Sequence, residues 1–152
     1  MPHATMYGAN YLVRDGGSVS AGLGYNSKRM KLINIYVEVY KRAVTICIGS
    51  ADEFSKYRKE LIEEIDPECT ADFAPARDYS GHTCVVGDVG FVVHILEEPL
   101  SGSSIGVLVH ELSHVTNSIL RDSNIPLTEE TEEAYTYLLE YLTREALDKN
   151  NK

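Results

Sequence analysis

The stretch VLVHELSHVTNSIL constrains this chain more than any other. Ile105, Leu108, Leu112, Val115 and Ile119 recur at the spacing of one helix face. An apolar stripe of that length has to be buried against a second layer. The SGSS just before it offers a cap, so a helix is expected from near Ile105 to about Arg121, ending ahead of SNIP. The second layer is upstream. LINIYVEV and AVTICIG are rich in Ile and Val with partial alternation, and the YKR between them reads as a hairpin. ADEFSKYRKELIEEI then places Phe54, Tyr57, Leu61, Ile62 and Ile65 at helical spacing. Residues 66–81 read as loop. HTCVV and FVVHILEE read as two further strands around the turn Gly87-Asp88-Val89-Gly90. A last helix is expected from about Thr128, with acids in its first turn and an apolar stripe of Ala134, Leu138, Tyr141 and Leu142. Strands first and two closing helices give an α+β domain, one sheet with helices packed on it. Residues 1–30 hold Gly8, Gly16, Gly17, Gly22 and Gly24 and read as an irregular segment, with one short strand at 11–14. The domain proper is expected over 31–149.

Composition narrows the function. The chain has 152 residues, 14 Lys+Arg against 23 Asp+Glu, and a net charge of −9. Phosphate backbones are bound by clustered Lys and Arg, so no nucleic acid is expected as partner. No apolar stretch approaches a membrane span, so no membrane is expected either. The first residues show no basic region followed by an apolar one, and a secretory signal is not expected. Cys47, Cys69 and Cys84 are odd in number and lack CxxC spacing, which suits buried free thiols in a reducing, cytoplasmic compartment. Oligomeric state stays open: FVVHILEE would pair with a second copy or be covered by the first 30 residues.

Within the helix, His110-Glu111-Leu112-Ser113-His114 is an H-E-x-x-H. Residues four apart lie one turn apart on one face, so both imidazoles can reach a single Zn²⁺. Glu111 sits beside them, placed to take a proton from a zinc-acidified water without itself coordinating the metal. The helical wheel turns His110 and His114 away from the apolar stripe, toward solvent or a cleft whose second wall the C-terminal helix can supply. A third ligand is expected among Glu129, Glu130, Glu132 and Glu133 on that helix, and the wheel does not choose between them. The extended metzincin pattern is excluded: Asn117 and Leu120 replace its Gly and His, and no Met follows Met30.

The order hairpin, helix, strands, HELSHVTNSIL and EAYTYLLEYL resembles the small HExxH zincin-like proteins, gluzincin in type, of phages and other mobile elements. The resemblance spans about residues 32–145. Its specific parts are His110-Glu111-x-x-His114 and Glu133-Ala134-x-x-Tyr137-Leu138. It implies a minimal zincin-like domain: a small mixed β-sheet packed by helices, with an active-site helix and a C-terminal helix. It implies His110, His114 and Glu133 as zinc ligands, Glu111 as general base, and a peptide or protein substrate. The implied activity is a zinc-dependent hydrolase, a small metallopeptidase, in the host cytoplasm if phage-encoded. The alternative is a non-catalytic accessory module with structural or vestigial zinc, binding a basic partner through its acidic surface. Larger gluzincins carry an Asp four residues after the ligand Glu, where this chain has Tyr137.

Zincins bind extended substrate along the sheet edge near the metal, which makes His94 in VVHILEE a candidate oxyanion stabiliser or fourth ligand. A half-exposed strand histidine is the plainer expectation. Tyr135, Tyr137 and Tyr141 are expected in amphipathic packing, with a hydrogen bond from one phenol to a tetrahedral intermediate as the alternative. His3, His82 and the cluster Lys28, Arg29 and Lys31 are expected at the surface.

Overall fold

The computed structural model describes residues 30–65, 79–86 and 90–152. His3, the strand expected at 11–14, Lys28, Arg29, Cys69 and the centre of the turn at 87–89 lie outside them. The elements are β1 (Lys31–Val37), β2 (Arg42–Ile48), α1 (Ala51–Ile65), β3 (Gly81–Val86), β4 (Gly90–Ile95), α2 (Gly102–Asp122) and α3 (Glu132–Asn150). The fold is α+β, a mixed four-stranded sheet with helices on both faces.

The sheet order is β1-β2-β4-β3. The expected hairpin forms, β1 antiparallel to β2; the two later strands also pair antiparallel, β3 with β4, and the two pairs join through a parallel β2–β4 pair. Alternation then divides the side chains. Ile33, Ile35, Val44, Ile46, Phe91, Val93 and Ile95 face α2 and α3. Cys47 and Val92 face α1, where they meet Phe54 and Leu61. Strand β4 is flanked on both sides, so the expectation that FVVHILEE pairs with a second copy is overturned. Its residues Phe91–Ile95 are buried on both faces, the pattern of a central strand. The outer position goes to β3, whose GHTCVV carries a glycine, a histidine and a threonine.

Helix α2 starts three residues before Ile105. Ser101 is its N-cap and forms a reciprocal capping box with Ser104, whose hydroxyl also accepts from Leu100 N–H at 3.1 Å. At the other end Asn124 takes the left-handed conformation (φ 57°), and Ile125 N–H returns to the Leu120 carbonyl at 2.9 Å. Pro126 then prevents continuation. Helix α3 begins after Thr131 rather than near Thr128, because Thr128 and Thr131 are spent on a turn: Thr128 N–H donates to the Thr131 hydroxyl at 2.9 Å. Leu138, Leu142 and Ala146 of α3 pack against α2 and the sheet.

Helix α3 also reaches the outer strand at the opposite side of the sheet. Lys149 Nζ donates to the Asn34 carbonyl at 2.8 Å, and the Tyr141 hydroxyl donates to the Tyr36 carbonyl at 3.3 Å. Lys31 Nζ in turn donates to the Asn150 carbonyl at 2.6 Å. Among the described residues no helix is long and apolar enough to cross a membrane.

Candidate metal centre

Helix α2 presents two faces with different chemistry. Leu108, Leu112, Val115 and Ile119 are buried against the sheet, as their spacing requires. His110 and His114 are exposed on the opposite side. Their rings stand at 81° with centroids 4.9 Å apart, and their Nε2 atoms are 3.2 Å apart. Two nitrogens bound ~2.0–2.1 Å from a tetrahedral zinc lie about 3.3 Å from each other. The pair therefore fits two positions of a zinc site with little movement. The Ser113 hydroxyl donates to the His110 carbonyl at 2.6 Å, so it is spent within the helix.

Glu111 differs from its neighbours. It is 6% exposed. What covers it is β3: the Thr83 hydroxyl donates to Glu111 Oε2 at 2.6 Å. Gly81 allows the close approach. A Cβ there would fall 2.8 Å from Glu111 Cγ, 2.9 Å from Oε1 and 2.8 Å from Val107 Cγ1. An open groove of about 470 Å³ runs between α2 and the start of β3, lined by Ser80, Gly81, Gly106, Val107, His110 and Glu111. Its second wall is thus the sheet edge and not the C-terminal helix.

The other expected residues are not brought to the pair. Glu129, Glu130, Glu132 and Glu133 are exposed on α3's approach and first turn. The Thr128 hydroxyl beside Glu130 holds that carboxyl below the usual range. Among the described residues no group of three His, Cys, Asp or Glu side chains is gathered as a metal would need. Tyr137 is 66% exposed. Tyr135 and Tyr141 use their hydroxyls structurally, on the carbonyls of Ile125 and Tyr36.

His94 lies on α1's face of the sheet and not on α2's. It is fully buried, stacks on Phe54 with ring centroids 4.3 Å apart, and its Nε2 hydrogen-bonds the Gly49 carbonyl at 2.8 Å. Burial pushes its pKa down. It is neither half-exposed nor placed to face the histidine pair. His82 is half-buried against Tyr79. Burial pushes the Cys47 and Cys84 thiols up, which keeps them protonated and inert.

Sequence reasoning missed Thr83 and Gly81. Both lie at alternate positions of one strand, so both project from the same face toward α2. That pairing is readable only once β3 is known to be the strand beside the helix. No family model, curated protein or solved structure matches this chain.

Proposed function

We propose that the chain is a zinc-dependent hydrolase, a small metallopeptidase, with His110 and His114 as two zinc ligands and Glu111 as general base. The observation that carries the reading is the 3.2 Å separation of two exposed imidazole Nε2 atoms beside a carboxylate that faces a groove. Zinc bound there would supply Lewis acidity, polarising a carbonyl and acidifying water. Glu111 would take the proton of the attacking water and return it to the leaving amine. The edge of β3 has no strand partner on its outer side among the described residues. An extended peptide added there would run past the groove, its main chain held by strand pairing. The gluzincin resemblance assigns the third ligand to Glu133. Glu133 is exposed in the first turn of α3, and no three-ligand group is gathered among the described residues.

Elemental analysis of the purified protein beside His114→Ala tests this. About one zinc per chain, lost in the variant, is the expected result. No zinc in the wild type after reconstitution overturns the reading. With zinc bound, Glu111→Gln is expected to abolish cleavage of a peptide pool and keep the metal.

The Thr83–Glu111 bond favours a second reading, because a carboxylate tied to a strand is also a structural contact. In it the domain is a non-catalytic accessory module, its zinc structural or vestigial, and its charge of −9 suits a basic partner. Zinc binding without any cleavage in wild type would select it.

A further inference from the structure

Resting on the hydrolase reading, we infer that Thr83 of β3 is a positioning residue that fixes Glu111 so that its Oε1 is the oxygen turned to the groove. The carboxylate has two oxygens in different situations. Oε2 accepts the Thr83 hydroxyl at 2.6 Å. Oε1 has no hydrogen-bond partner among the described residues and lies beside Gly81, which lines the groove. A free glutamate side chain rotates about its last torsion with little preference. Here one charge-assisted bond removes that freedom. The same hydroxyl lies 3.3 Å from the Glu111 carbonyl, so Thr83 contacts both ends of the residue. Its own place is fixed by the sheet, since Thr83 pairs with Val93 of the central strand. The geometry of the base is thus set by a strand and not by the helix that carries it. Gly81 acts with Thr83: one residue holds Glu111, and the other leaves it room. A base held in one orientation costs less to bring to a reacting proton than one that samples several.

The test uses the full chain as Thr83→Val, which keeps shape and loses the donor, and Thr83→Ser, which keeps the donor. Three measurements separate the role from folding and from the hydrolase reading. Zinc affinity by chelator competition is expected within about twofold of wild type in both variants, because the hydroxyl is no ligand. The Glu111 carboxyl ¹³C resonance, recorded without zinc at one pH, is expected to move in Thr83→Val and to return in Thr83→Ser. On an internally quenched peptide pool, the zinc-loaded Thr83→Val is expected to lose roughly 10- to 100-fold in kcat with KM within twofold, and Thr83→Ser to recover most of it. An unmoved carboxyl resonance, or an unchanged kcat in Thr83→Val, overturns the positioning role. Absence of zinc or cleavage in the wild type overturns the hydrolase reading, and the role with it. The resonance then still reports whether the Thr83–Glu111 bond exists.

Discussion

At β1 the sheet ends against α3: Lys149 and Tyr141 take the carbonyls of Asn34 and Tyr36, and Lys31 binds back to the end of the helix. At β3 the sheet ends beside α2 with no strand or helix taking its outer main-chain groups among the described residues. Uncovered strands invite pairing with other chains, so proteins generally blunt them. Among the described residues, the fold blunts one edge and leaves the other bare next to Glu111 and the histidine pair. The two edges also differ in what they do to their helix. The β1 edge receives side chains from α3, whereas β3 sends Thr83 out to Glu111 of α2.

The largest expected effect breaks the closed edge. Leu142 of α3 is fully buried, and Leu142→Ala should cost about 2–5 kcal/mol in urea unfolding. With α3 loosened, β1 should self-associate, visible as concentration-dependent light scattering. A stable, monomeric variant would show that α3 is not what protects that edge. Next comes the open edge. Gly81→Ala sets a methyl 2.8 Å from Glu111 Cγ and Val107 Cγ1, and a loss of about 1–3 kcal/mol is expected. Equal stability would mean that β3 is free to shift away from α2.

A pH effect should arise from neither edge. Burial lowers the pKa of His94 in the folded chain, while the unfolded chain protonates it near pH ~6.5. The unfolded state thus binds more protons below that value, and stability is lost as pH falls from 7.5 to 5.5, by at most about 1.4 kcal/mol per unit. His94→Gln should flatten that part of the urea-midpoint profile; an unchanged slope would place the titration elsewhere. The smallest effect sharpens the comparison. Tyr141→Phe with Lys149→Met should change stability by less than about 1 kcal/mol, since both hydrogen bonds are exposed. Amide exchange along β1 should nonetheless quicken toward the rate of β3. No change would mean that the two hydrogen bonds do not protect the edge.

Local pattern made much of this fold legible. The stripe through Leu108, Leu112, Val115 and Ile119 predicted α2 and its buried face, and it turned His110 and His114 outward. Ile and Val runs predicted all four strands, because β-branched alternation is a property of the strand itself. Which strand lies outermost was not legible. That depends on how two hairpins join, and nothing within β2 or β4 alone specifies their parallel pairing. The misplacement of His94 followed from it. Alternation puts His94 on one face of β4, but only the packing of Phe54 decides that this face belongs to α1. Thr83 escaped notice for the same reason, since its partner is 28 residues away.

The fastening of β1 by α3 has a cost in time. Tyr141 and Lys149 lie 105 and 115 residues after the carbonyls they cover. A ribosome adding ~5–20 residues per second leaves roughly 5–20 s between the making of β1 and the arrival of its cover. Through that interval the first hairpin of the nascent chain has an unguarded side. Neighbouring chains on one message expose the same strand over overlapping intervals, so slow translation ahead of residue 141 is where this protein would most need a chaperone.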